Sequence, residues 1–282
     1  MLFFLSKGFA LLAQIPTGSE IWMLDMMEQN GTYSFTNAVN ITHREGYDNQ
    51  PVFSPDGSYI LYTSIREDNQ ADIYKYDIQT KLTLQLTKTP ESEYSPTFTP
   101  DKNFISTVRV EKDSTQRLWK FNIDGTNPVL INPDIDSVGY HCWINNTTFA
   151  AFILTHPFSL RLSNTIDANS SILSTNVGRS IHLQDEENIV FTRDIDSVKW
   201  ICSAGPLQKI KPVIKTPLGS EDFEWLKNGI ILIAKGSLLY KFDILKDNDW
   251  KEIANLGNYN INNITRIAVN ADCTKIALVG NK

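Results

Sequence analysis

The chain has 282 residues, 41% hydrophobic and 21% charged, a globular composition that excludes an intrinsically disordered chain and a multi-span membrane protein. One large all-β domain of barrel or propeller type accommodates that length. Twenty-six basic against 32 acidic residues give a net charge of −6, and no basic run interleaves with aromatics, so a nucleic-acid partner is not expected.

The first residues, MLFFLSKGFALLAQ, are apolar and end in the small-residue pattern Ala10-Leu11-Leu12-Ala13. Residues 1–14 therefore read as a signal peptide, residues 15–282 as a single domain, and the location as periplasmic or secreted. Lys7 supplies the one positive charge and lies inside the apolar run, so a buried first strand is the competing reading. No later stretch reaches the roughly 18 apolar residues of a membrane span, and none is expected.

Ile21-Trp22-Met23-Leu24-Asp25 alternates like a strand. Further on, QPVFSPDGSYILYTSI from Gln50 recurs as SPTFTPDKNFISTVRV from Ser95 and, more faintly, as YHCWINNTTFAAFIL from Tyr140. Weaker echoes begin at Ser180, Asp222 and Arg266. With Phe53, Phe98, Trp143, Leu183, Trp225 and Val269 as equivalent anchors, the spacings are 45, 45, 40, 42 and 44. A repeat near 40 residues signals a solenoid or propeller.

The first full copy predicts four strands: one ending at Phe53, a second over Tyr59 to Ser64, a third over Asp72 to Asp77, and a fourth over Leu82 to Thr87. Ser54-Pro55-Asp56-Gly57 supplies the first turn, proline fixing φ and glycine accepting a positive φ. The third-strand pattern returns at Leu118–Asn122 and Leu239–Asp243, and Ile21–Asp25 carries it before any first strand exists. The N-terminus thus supplies strands three and four of a unit whose strands one and two lie in Ile264 to Val279. The fold predicted is an all-β, six-bladed β-propeller of four-stranded antiparallel blades, closed by pairing N-terminal with C-terminal strands, without long helices. A sandwich or jelly roll is the alternative, but gives no reason for the same turn to recur after 45 residues.

The Pro-x-Phe-Ser-Pro-Asp-Gly start, the Ile-Tyr-x-x-Asp third strand and the ending Leu86-Thr87 resemble TolB-type propeller repeats, sharply over residues 49 to 125 and through spacing and strand pattern beyond. The later turns depart from the family at Asn145-Asn146, Asp185-Glu186-Glu187 and Asn270-Ala271-Asp272. This resemblance implies a six-bladed propeller of the bacterial envelope or secreted space that binds a protein or peptide at its channel, and it brings no catalytic motif. With about 20 residues ahead of Ile21, the domain that precedes the propeller in TolB is not expected.

In a propeller the first strand of each blade lines the channel, so residues just before each anchor gather at one mouth. These are Tyr47, Asp48, Asn49 and Gln50; Glu93, Tyr94 and Ser95; Tyr140 and His141; Arg179, Ser180 and His182; Glu221 and Asp222; and Thr265 and Arg266. Acids, arginines and histidines converging on a concavity mark a candidate site, although solvated loops and acids bound to backbone amides give the same composition. Tyr47, Tyr94 and Tyr140 offer flat faces for a sugar or peptide side chain. The resulting expectation is a non-enzymatic binder of a peptide, protein segment or glycan. The alternative is a propeller enzyme of lactonase, lyase or glycan-processing type, using His141, His182 and acids such as Glu221 around a metal or as acid and base.

Other signals point to structure. Cys142, Cys202 and Cys273 stand 60 and 71 residues apart, unlike a zinc ribbon or a CxxC pair, and read as small buried hydrophobes. The repeated aromatics, Phe53, Phe98, Trp143, Trp225, Trp22, Tyr74, Trp119 and Tyr240, read as inter-blade core. Arg66, Arg109 and Arg193 read as ion-pair partners of Glu67 and Asp68, Glu111, and Asp194. No nucleophile elbow and no phosphate loop occur, and no cofactor or metal is expected.

Overall fold

A computed structural model describes residues 18–166, 170–205 and 209–281. The signal segment expected at 1–14 lies outside the described residues. Strands β1 (Glu20–Gln29) and β2 (Thr32–Asn40) form a hairpin through Asn30-Gly31, both at positive φ as a tight two-residue turn requires. The next blade holds β3 (Tyr47–Phe53), β4 (Tyr59–Ile65), β5 (Ala71–Asp77) and β6 (Thr83–Gln85). It is followed by β7 (Ser92–Phe98), β8 (Phe104–Val110), β9 (Gln116–Asn122) and β10 (Val129–Leu130). Then come β11 (Val138–Trp143), β12 (Thr148–Ile153), β13 (Ser159–Asn164) and β14 (Ser170–Thr175). The fourth meander is β15 (Val177–Leu183), β16 (Ile189–Ile195), β17 (Val198–Ala204) and β18 (Lys211–Lys215). The fifth is β19 (Phe223–Trp225), β20 (Ile230–Lys235), β21 (Leu238–Asp243) and β22 (Lys251–Asn255). Last come β23 (Asn262–Val269) and β24 (Lys275–Asn281).

These strands make six four-stranded antiparallel sheets, a six-bladed β-propeller. Five sheets are simple meanders, and the sixth has the order β2-β1-β24-β23, so the chain's two ends share a blade. Trp22 lies opposite Leu278 within it. Among the described residues the one helical element is a short 3-10 turn, Leu256–Tyr259.

All six anchors end the innermost strand of their blade. Phe53, Trp143 and Trp225 are buried there, whereas Leu183 is exposed, so the anchor position is core in some blades only. Second strands carry the deepest core: β4, β12, β20 and β24 are nearly continuous apolar runs, because neighbouring blades cover both their faces. Two of the outermost strands are very short, three residues in β6 and two in β10, which leaves little edge for another strand to pair with. The fourth strand expected over Leu82 to Thr87 shortens accordingly, with Leu82 and Leu84 left exposed.

One side-chain device recurs in turns whose sequences differ. Asp56 Oδ1 accepts from Ser54 Oγ (2.6 Å) and the Ser58 amide (3.1 Å), and Asp101 Oδ1 accepts from Thr99 Oγ1 (2.6 Å) and the Asn103 amide (3.1 Å). Asn145, Asp185 and Asn270 accept backbone amides in the same way at the divergent turns. A short side-chain oxygen mimicking a backbone turn is the shared requirement, which several residue types meet.

The cysteines are unpaired, with Cys142 and Cys202 buried. The arginine pairings differ from expectation. Arg109 bonds Glu91 and lies 3.6 Å from Glu93, while Glu111 binds Arg117 at 3.0 Å. Asp194 binds Lys199 at 3.1 Å rather than Arg193, and Arg66 stacks 4.0 Å above the Tyr74 ring.

Candidate ligand channel

Alternate residues of a strand share a face, and the inner strands apply this six times. Counting back one residue from each anchor gives Val52, Thr97, Cys142, His182, Glu224 and Ala268. Counting back three gives Gln50, Ser95, Tyr140, Ser180, Asp222 and Arg266. All twelve line one central cavity of about 420 Å³. Gln50 and Ser95 sit at positive φ in bulges of β3 and β7, and Gln50 Oε1 ties the two blades together by accepting from the Ser95 amide at 2.8 Å.

Charged groups concentrate on one side of this channel. Arg179 Nε donates to both carboxylate oxygens of Asp222 at 3.2 Å, and its Nη2 also binds Asp222. From the composite blade, Arg266 Nη1 reaches Asp222 Oδ1 at 3.3 Å and Nη2 donates to the Tyr140 hydroxyl at 2.7 Å. The Arg266 guanidinium also stacks over the Tyr140 ring at 4.9 Å. Residues of four blades are thereby joined around one opening, three from inner strands and Asp222 from just before β19. Glu221 supports the group from outside, accepting the Arg179 backbone amide at 2.7 Å.

Deeper in, His182 and Glu224 come from adjacent blades, with Nδ1 3.6 Å from Oε1. Burial pushes the Glu224 carboxyl up to about 8 and holds the His182 imidazole down to about 4. Ser180 Oγ lies 3.3 Å from His182 Nε2.

Of the residues singled out from sequence, Tyr140, His141, Arg179, His182, Asp222 and Arg266 line the cavity. His141 is buried and bonded through Nε2 to Ser106 Oγ at 2.7 Å, and burial holds it down to about 3. Tyr47, Asp48, Asn49, Glu93, Tyr94 and Glu221 do not line it. Tyr47 stays within electrostatic range of Arg266, Tyr140, Tyr94 and Arg179, its phenol pushed up to about 12 by burial. Asp48 is fully buried, accepting from Ser64 Oγ at 2.6 Å and Arg44 Nη1 at 3.0 Å. Asn49 is buried beside Ser19, and Tyr94 packs against the core around Val138. Glu93 is fully buried, bonded by Thr89 and facing Arg109, and burial raises its carboxyl to about 7. Sequence reading missed Glu224, although its i+2 spacing from Asp222 signals the same face.

Among the described residues no three His, Cys, Asp or Glu side chains gather to hold a metal ion, so His141, His182 and Glu221 do not form a ligand set. No described helix is long and apolar enough to cross a membrane.

No protein-family model and no curated protein matches the chain. Solved structures do match. A protein assigned to TolB from Agrobacterium tumefaciens superposes with a TM-score of 0.71 at 11% identity, covering 94% of this chain and 98% of the other. TolB from Acinetobacter baumannii gives 0.61 at 13%, with 96% of this chain matched to 66% of that one. An oligogalacturonate lyase in complex with manganese gives 0.54 at 14%, covering 91% and 78%. The chain therefore has the six-bladed propeller fold found in the TolB structures.

Proposed function

We propose that the protein binds a peptide, protein segment or glycan at the mouth of its propeller channel. The observation that carries this reading is the Arg179–Asp222–Arg266–Tyr140 network facing the cavity. Each guanidinium has five N–H donors, and these contacts engage two nitrogen atoms of each arginine. The remainder suit carboxylates, carbonyls and hydroxyls. The Tyr140 ring adds an apolar face beside them, the combination used to hold sugars and peptide side chains. Asp222 keeps both cations in place before any ligand arrives, which lowers the ordering cost of binding. A periplasmic or secreted location fits the apolar sequence of residues 1–14 and the TolB-type fold.

Thermal-shift screening against short peptides and oligosaccharides tests this reading. A stabilising ligand is expected to lose its effect in Arg179→Ala. A ligand shift retained in full by that variant places the binding surface elsewhere.

A further inference from the structure

We propose that Ser180, His182 and Glu224 act as nucleophile, general base and positioning acid in hydrolysing an ester bound in the channel. The idea rests on the channel being the ligand site and adds chemistry to it. Serine and histidine are two residues apart on β15 and both line the cavity. The two imidazole nitrogens are divided as such chemistry needs, Nε2 3.3 Å from Ser180 Oγ and Nδ1 3.6 Å from Glu224 Oε1 across the blade boundary. Catalytic hydrogen bonds of this length are common before substrate binds. The His182 ring is held against Phe223 with centroids 4.8 Å apart, and the Phe223 amide donates to Ser180 Oγ at 3.3 Å. Triads are recognised by geometry and role, not by order along the chain.

In the first step Ser180 Oγ attacks the ester carbonyl carbon, and its proton passes to His182 Nε2. The tetrahedral intermediate expels the alcohol, which leaves with that proton, and Ser180 keeps the acyl group. Water, deprotonated by Nε2, then attacks the acyl carbon and Ser180 recovers its proton. One alcohol and one carboxylic acid result, with no change of oxidation state. Arg179 and Arg266 place positive charge on the same cavity, favouring the oxyanion. Glu224 touches no reacting atom and acts through His182.

A base with its lone pair on Nε2 needs Nδ1–H donated to an ionised Glu224. The groups facing this pair are Arg179 on β15, Asp222 just before β19, Cys142 on β11 and Cys273 in the β23–β24 turn. With the Glu224 carboxyl raised to about 8, the productive state fills as pH rises through that value.

The test is labelling of the full chain by a fluorophosphonate, with peptide mapping, alongside hydrolysis of p-nitrophenyl acetate. Label is expected on Ser180, absent in Ser180→Ala and about 100-fold slower in His182→Gln. The labelling rate should rise through about pH 8 in the unmodified protein, and that rise should flatten in Glu224→Gln. Unlabelled Ser180 in protein that melts normally, or labelling untouched by His182→Gln, overturns the proposal. If mouth ligands still stabilise that unlabelled protein, binding stands without the chemistry.

Discussion

Leu24, in the first strand after the N-terminus, lies directly opposite Ile276, in the last strand of the chain, and both are fully buried. Their pairing closes the ring. Removing the side chain at such a site leaves a cavity as well as losing burial. Ile276→Ala is therefore expected to lower the unfolding free energy by about 2–5 kcal/mol, read as a shift in urea midpoint at unchanged m-value. A loss under about 1 kcal/mol would mean that the shared blade contributes little to the fold.

Gly178 approaches its neighbours more closely than any other residue type could. A Cβ there would overlap Glu221 Oε1 and Thr192 Oγ1. Gly178→Ala should dislodge Glu221 from the Arg179 amide, lowering the melting temperature and weakening any ligand of the channel mouth together. Unchanged melting and unchanged binding would show that the Glu221 contact does not position Arg179.

His141 and Arg266 line the same cavity but are held differently. The imidazole shares Ser106 Oγ with the Trp143 indole N–H at 2.7 and 2.8 Å, a buried arrangement across two blades. His141→Ala is expected to destabilise the protein by about 1–3 kcal/mol by leaving buried polar groups unpaired, while the folded fraction keeps its ligand affinity. Arg266→Ala should do the reverse, with the larger effect on affinity. Equal affinity losses in the two variants, compared after correcting for folded fraction, would make His141 a ligand contact.

Glu93 gives the fold a pH dependence of defined sign. Its carboxyl rises from an ordinary 4.5 to about 7 through burial, so between these values the folded state holds a proton that the unfolded state has lost. Stability from this group is complete below about pH 4.5 and falls as pH rises through about 7. Glu93→Gln should remove that decline, gaining on the parent protein by at most about 1.4 kcal/mol per pH unit across the window. Urea unfolding at pH 5 and pH 9 measures it; a difference that does not change with pH would refute the assignment.

The architecture was legible because its signals are local and repeated. Six anchors mark strand ends through a turn whose oxygen acceptor can be Asp or Asn, and the early Ile21–Asp25 pattern betrays the composite blade. The channel was legible only up to the bulges. Between Asn49 and Val52, and between Tyr94 and Thr97, the register slips. Faces assigned by simple alternation from the anchor therefore fail beyond that point. Asp48 and Glu93 lie before the slip and turn into buried ion and hydroxyl contacts, while Asp222 and Arg266 lie within reach of the anchor count and face the cavity. Glu224 sits even closer to its anchor, where an inward acid is not expected from hydrophobic patterning.

The channel mouth as ligand site is tested most directly by calorimetric titration of the strongest screened peptide or oligosaccharide into the parent protein and Arg266→Ala, with Lys211→Ala on the outer strand as control. A dissociation constant at least about 10-fold weaker in Arg266→Ala, and unchanged in Lys211→Ala, is the expected result. Equal affinity in Arg266→Ala and the parent protein would contradict it.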